Sequence, residues 1–325
     1  PASAQGTVTV TLGADAQQVA DALGVSLTDF ATDLETEIND TYHGANIDGF
    51  LRDFANATAF VNHGIGVDYA SSPGGWMVGA AMNVSASGDL EEATAGAGAT
   101  ATIMGGLNLA RWEHPAWTVY GNFFHKSLGN DNVGGGLSNV GAHAQYRLAG
   151  REAVGHDLVF RWSGVDITTG LEYVRWRVDG DTGNALDLPT GSGGEAELDY
   201  RATGRVRLDA SAFTIPLEVT TGIRIFYLAS LYLGVGTDLQ FGKAKLDVDV
   251  TGDVFYVDQS NPMAPVERNA ATVTATVRGE NKPAIADIRG LAGLQLNLWK
   301  LKIFAQLNIS QVPAVGVAFG LRVVP

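Results

Sequence analysis

Residues 284–325 read AIADIRGLAGLQLNLWKLKIFAQLNISQVPAVGVAFGLRVVP, and their reading decides the fold. Ile288, Gly290, Ala292, Leu294, Leu296 and Leu298 set apolar or small residues on even positions, with Asp287, Arg289, Gln295 and Asn297 on odd ones. Past Trp299 and Lys300 the parity flips: Leu301, Ile303, Ala305, Leu307 and Ile309 face one way, Lys302, Gln306, Asn308 and Ser310 the other. After Gln311 and Pro313 a third run places Val315, Val317, Phe319, Leu321 and Val323 opposite Ala314, Gly316, Ala318, Gly320 and Arg322. A period of two belongs to a strand with one apolar face, so three such runs joined by short turns predict an antiparallel meander. Each run alternates over about ten residues, as a tilted membrane strand requires, against about 5–6 in an average globular strand. The apolar face is therefore expected to meet lipid rather than a second sheet.

Composition agrees. Charged residues are 17% of the chain, and its 41 glycines are about twice the usual share, as suits a close-packed wall with an apolar exterior. No apolar run is long enough for a transmembrane helix. Cysteine is absent, which excludes a disulfide framework and thiolate-bound metal. A net charge of −14 argues against nucleic acid as a partner. Ala2-Ser3-Ala4 fits the small-x-small pattern of a leader cleavage site, an expected signal peptide, with an engineered scar as the alternative.

Residues 1–58 form a first unit. They hold nine carboxylates and only Arg52. Thr7, Thr9 and Thr11 alternate with Val8, Val10 and Leu12 as a short strand; helical spacing follows around Val19 to Leu23, from Ser26 to Tyr42 and from Ile47 to Ala55. Ser26 with Asp29 reads as an N-cap close to a capping box, and Gly44 as the stop. These acidic amphipathic helices predict a cap, a plug, an oligomer contact or a layer covering one end of the sheet.

Residues 59–325 read as strands and turns throughout, with two long hairpins at 155–227 and 229–299 whose distal halves, including the Thr-rich 272–276, project beyond a bilayer. Ile65, Val67 and Tyr69 read as a strand ending in the turn at 71–75. In 230–257 the apolar parity switches from Leu231, Leu233, Val235 and Leu239 to Leu246, Val248 and Val250, which predicts a bulge at Gly242. The fold class expected is all-β: an antiparallel up-and-down transmembrane barrel of about 11–12 strands, closed or incomplete, with a small N-terminal helical segment. Closure at twelve requires the N-terminal strand.

Tyr69, Trp76, Trp112, Trp117, Tyr227 and Trp299 all flank turns on one side and are expected to form an aromatic membrane girdle. A polar wall is expected from Arg147, Glu218, Arg224, Asp287, Arg289, Lys302 and Arg322, with Asp166, Glu172 and Asp238. Mixed signs predict a narrow or blocked lumen. No catalytic set emerges: six dispersed histidines lack metal-ligand spacing, and no nucleophile elbow or phosphate loop occurs. No cofactor is expected. Asp179-Gly-Asp181-Thr-Gly-Asn184 approaches a calcium loop but departs from its spacing at Gly183.

The acidic helical N-terminus, the run Ala57-Thr-Ala-Phe-Val-Asn-His-Gly-Ile-Gly-Val-Asp-Tyr69, the Gly75-Trp76 strand start and the long hairpins together resemble the porin-like oligomeric outer-membrane proteins of Bdellovibrio and its relatives, the PopA group. That resemblance implies a ring-shaped homo-oligomer of small or incomplete barrels that encloses membrane lipid. The expected function is that of a non-enzymatic bacterial outer-membrane protein, porin-like or structural. An outer-membrane hydrolase and a secreted soluble β-sandwich adhesin are the alternatives.

Overall fold

The computed structural model describes residues 5–43, 46–70, 75–89, 93–129, 133–149, 159–190, 196–258 and 266–325. Ala2-Ser3-Ala4, Gly44, His156 and most of the turn at 71–75 lie outside the described residues. Among the described residues, one antiparallel sheet of twelve strands makes up the fold. Its strands are β1 (Gln5–Leu12), β2 (Trp76–Asp89), β3 (Thr94–Asn108), β4 (Trp117–Gly129), β5 (Val133–Ala149), β6 (Phe160–Thr190), β7 (Ala196–Ile225), β8 (Ala229–Asp258), β9 (Val266–Asn281), β10 (Ala286–Leu298), β11 (Leu301–Ser310) and β12 (Ala314–Val323). The helices are α1 (Ala16–Leu23), α2 (Leu27–His43) and α3 (Ile47–Phe60).

Ten of these strands close on themselves. From β2 to β8 each pairs with the next, β8 pairs with β10, and β12 returns to β2 through Val323↔Val78 and Ala314↔Ser87. The closing strand thus finds its partner in β2, not in residues 7–12 or 65–69. β1 instead lines up along β9, from Gln5↔Arg278 to Leu12↔Ala271. The reason lies in the last long hairpin. Its return arm is split: β9 pairs the distal half of β8 up to Ala244↔Asn281, and β10 pairs the proximal half from Leu239↔Ala286. Pro283 sits in the break, where a missing N–H is tolerated. Beyond it β9 and β1 leave the ring and widen the distal sheet. β6 runs on to Thr190, so the first long hairpin stays in strand almost to its tip.

No bulge occurs at Gly242. β7 and β8 stay in register from Ala196↔Asp258 to Ile225↔Ala229, with Ala212↔Gly242 an ordinary pair. The apolar side changes because the surroundings change. Along β6, β7 and β8 the outward positions Leu171, Tyr173, Leu217, Leu233, Val235 and Phe241 are exposed and apolar. Past the cross-strand row Tyr173–Phe213–Phe241, the same outward parity carries Arg175, Arg177, Asp209, Lys243 and Lys245. Inward positions do the reverse, from Glu172, Glu218 and Asp238 to Val174, Trp176, Ala210, Leu208 and Leu246.

Candidate functional site

The site is the interior of the ring, and α3 with residues 61–70 fills it. α3 starts at Asn46, whose side chain accepts from Gly49 N at 2.9 Å, an N-cap. Its helix continues to Phe60, so the N-terminal unit runs past residue 58. Leu51, Phe54 and Ala55 pack on Ala210 and Ala244, with Trp176, Leu208 and Leu246 around them. Upstream, Ser26 caps α2 as the capping-box reading expected, its Oγ accepting from Asp29 N at 3.1 Å and donating to Asp29 Oδ2 at 2.7 Å. Phe30 and Leu34 of α2, with Val19 and Ala20 of α1, cover the inner face of the distal sheet at Val8, Val254, Ala271 and Val273.

Residues 61–70 are not a strand. They form an irregular, fully buried segment whose polar partners lie on strands all around the ring. Asn83 Nδ2 of β2 and Asn308 Nδ2 of β11 donate to His63 O, at 2.6 and 3.4 Å. Gln145 Nε2 of β5 donates to Asp68 O at 3.4 Å. Arg322 of β12 donates to Val67 O at 2.6 Å and to Asp68 Oδ1 at 3.2 Å. Such a segment can only run inside. Gly64 and Gly66 have φ of +84° and +89°, a conformation L side chains rarely adopt. A Cβ on Gly66 would also meet Asn122 and His143 at 2.9 Å.

Two buried arginines organise the wall. Arg289 donates to Asp238 Oδ2 at 2.8 Å, to Asn308 Oδ1 at 3.2 Å and to Glu218, and His63 Nε2 lies 3.3 Å from the same Asp238 oxygen. Arg322, besides its bonds to Val67 and Asp68, donates to Gln295 Oε1 at 3.3 Å and lies 3.7 Å above the Phe304 ring. Both guanidiniums are at most 1% exposed. Charges so far from water persist when an opposite charge answers them: Arg289 ties β10 to β7, β8 and β11, and Arg322 ties β12 to the inner segment.

The other expected wall residues are more dispersed. Arg147 Nε lies 3.5 Å from Asp166, and His143 Nε2 lies 3.2 Å from Asn122 Oδ1 and 3.3 Å from Glu172. Asp287 accepts from Ser310 Oγ at 2.5 Å. Arg224 and Lys302 stand at the ring's mouth, where Lys302 Nζ donates to Trp299 O at 2.7 Å. Asp179 and Asp181, read as a possible calcium loop, sit in strand with arginines: Asp179 takes bonds of 2.7 Å from both Arg177 and Arg207, and Asp181 lies 3.5 Å from Arg205.

Of the aromatic residues expected in a girdle, Trp76, Trp112, Trp117, Tyr227 and Trp299 lie on the exterior, Trp299 being 84% exposed. Tyr69 does not belong with them. It is buried, its ring stacked 5.8 Å from Tyr232, because residues 65–69 turn into the lumen instead of joining the wall. Sequence reasoning missed the opposite rim, the row Phe123–Val140–Tyr173–Phe213–Phe241. Its signal was present in the change of outward residues on three neighbouring strands.

His125 Nδ1 meets Ser138 Oγ at 2.7 Å on the outer surface, and among the described residues no hydrogen bond or ion pair joins this histidine to a carboxylate. Among the described residues no cluster of three metal-ligating side chains occurs.

No curated protein matches the chain. Solved structures that overlap it include the translocator domain of the autotransporter NalP from Neisseria meningitidis, at 9% identity and a TM-score of 0.32, covering 88% of this chain and 97% of that one. The attachment invasion locus protein Ail of Yersinia pestis overlaps at 12% identity and a TM-score of 0.26, with 76% and 93% covered. The CymD monoaromatic hydrocarbon channel overlaps at 9% and 0.26, with 83% and 98% covered. Scores this low say nothing about activity. Residues 2–324 match a family model described as Lsa36-like, so the chain belongs to the Lsa36-like family.

Proposed function

We propose that this protein is an integral β-barrel of the bacterial outer membrane, closed by ten strands and plugged by its own N-terminal segment. In this reading it is non-enzymatic and structural, and it holds the distal sheet and α1–α2 above the membrane. One observation carries the reading. At a single level across β6, β7 and β8 the apolar side switches from outside to inside with no register shift between β7 and β8. Below that level the molecule is apolar outside and charged within, the polarity of a membrane barrel. Above it the order is that of a water-soluble sheet. A soluble sandwich has no reason to invert. From Ala229 to Phe241 the lower wall runs about 40 Å along the strand, or about 30 Å of height at a tilt near 40°, close to a hydrocarbon core.

The ring-shaped homo-oligomer belongs to the same proposal. Closed protomers would associate side by side, and enclosed lipid would lie between them, since the lumen is occupied. Phase partition of the full chain, followed by recording in planar bilayers, tests the reading. The protein should require detergent and pass no steady current, and its detergent-solubilised mass should be a multiple of 34.1 kDa. Solubility without detergent would refute the barrel reading, large steady conductance the plug, and a monomeric mass the oligomer.

A further inference from the structure

At the ring's mouth on the short-turn side, the hairpin tips of β7–β8 and β10–β11 stand next to each other, because β8 and β10 are neighbours. Between them opens a recess of about 380 Å³ lined by Arg224, Tyr227, Asn297, Trp299 and Lys302, with Phe226 and Leu228. Two cations line it and, among the described residues, no carboxylate does. Directly across the β6–β7 ladder from Arg224 stands a third cation, Arg161. Like charges opposite one another destabilise a sheet. Among the described residues neither arginine has a hydrogen bond or ion pair, although the chain as a whole carries a net −14. Asp68, the acid whose field reaches Arg224 and Lys302, is already held by Arg322.

The recess is also built at a defined level. Phe226 and Tyr227 both take positive φ, 49° and 57°, as does Trp299 at 57°. These strained turns set large rings, rather than glycines, on the rim of the apolar wall. Leu228 and Leu298 lie on that rim beside the exposed outer residues Leu231 and Leu296.

We propose that this recess binds the phosphate of a membrane-lipid headgroup, with Arg224 and Lys302 as its ligands, Tyr227 and Trp299 as its walls and the acyl chains lying down the outer face past Leu231 and Leu296. The inference rests on the membrane reading above. A phosphate would relieve the repulsion among the three cations, offer acceptors to the guanidinium's five N–H groups and leave the lipid tails on a surface of their own polarity.

The test uses the full chain in detergent with three probes: dimyristoyl phosphatidic acid, dimyristoylglycerol and inorganic phosphate. Binding is read by native mass spectrometry and by the rise in melting temperature. Phosphatidic acid should bind and protect, with affinity falling roughly fivefold for Arg224→Gln or Lys302→Gln and about thirtyfold for the double variant. Arg224→Lys should keep most of the binding. Lys300→Gln, which removes a cation lying 4.9 Å from the Trp299 ring but outside the recess, should change nothing. Without lipid the double variant should melt close to the parent, because the repulsion it sheds offsets the Lys302 Nζ–Trp299 O hydrogen bond it loses. Equal binding of dimyristoylglycerol, equal protection by inorganic phosphate, or an unaffected double variant would each overturn the proposal while the barrel reading stood. A protein soluble without detergent would sink the barrel reading itself.

Discussion

Replacing Val235 by arginine separates a lipid-facing wall from a solvent-facing one. Val235 lies near the middle of the proximal half of β8, 64% exposed, between Val219 of β7 and Gly290 of β10. An added Cβ at Gly290 would touch nothing within 4 Å, so the arginine has room and steric cost is small. In water, such a surface change is worth within about 0.5 kcal/mol either way. On the lipid face near the bilayer midplane it costs about 2–4 kcal/mol. Thr251, on the same strand and the same outward parity but above the Phe241 level, supplies the internal control, with an expected cost near zero. The assay is reversible denaturant unfolding of parent and variants in bilayers, repeated in detergent. If Val235→Arg costs less than about 1 kcal/mol in bilayers, or no more than Thr251→Arg, the inversion of polarity along β8 does not mark a membrane boundary.

Other consequences can be checked in the same preparations. Arg322→Met removes the guanidinium that faces the buried Asp68 carboxylate and should cost about 3–5 kcal/mol in detergent unfolding, whereas adding Asp68→Asn should recover part of that loss. At Gly96 a side chain would run into the backbone of Asp53 and Phe54; Gly96→Val should therefore displace α3 from β3 and produce conductance that the parent lacks. Hydrogen bonds from Arg177 and Arg207 hold the Asp179 carboxyl below its ordinary range. Its folded pKa is the lower one, so the stabilisation is present above the unfolded value, near 3.9, and is lost as pH falls through the folded one. Parent and Asp179→Asn should differ in melting temperature at neutral pH and converge in acid; a constant difference would refute the linkage.

How far the fold was legible depends on what each signal measures. Period-two alternation reports a strand with unlike faces, and the closing meander, β10 to β12, followed it to within a few residues. Alternation cannot report which face is which. On β8 the switch from Leu239 to Leu246 looks in sequence like an inserted residue, because a bulge and a change of solvent both flip the apolar parity. Only cross-strand register separates them, and Ala212↔Gly242 within an unbroken ladder excludes the insertion. The same blindness misplaced Tyr69. Ile65, Val67 and Tyr69 alternate as a strand would, but their burial comes from the lumen, and Gly64 and Gly66 on either side of Ile65 mark positive φ rather than a tight wall. The N-terminal strand was legible as a strand, but whether it closes the barrel was not, since its partner β9 is set by the break around Pro283, a local event with long-range consequences.

The wall residues were legible as a set but not as a mechanism. Arg289 and Arg322 look equivalent to Arg224 and Lys302 in sequence, each a cation at an inward position of an alternating strand. The first two are matched by acids from elsewhere in the chain: Glu218 and Asp238 bind Arg289 within the wall, and Asp68 binds Arg322 and so locks the inner segment to the ring. The second two converge without such acids at the mouth, where Arg161 adds a third charge. Cations with and without an acid partner on one inner face do different work. Buried pairs hold a plug in place, and an unpaired group beside an aromatic rim waits for a charge from outside the chain. That division follows from where the acids fall, at positions 68, 218 and 238, rather than from where the cations do.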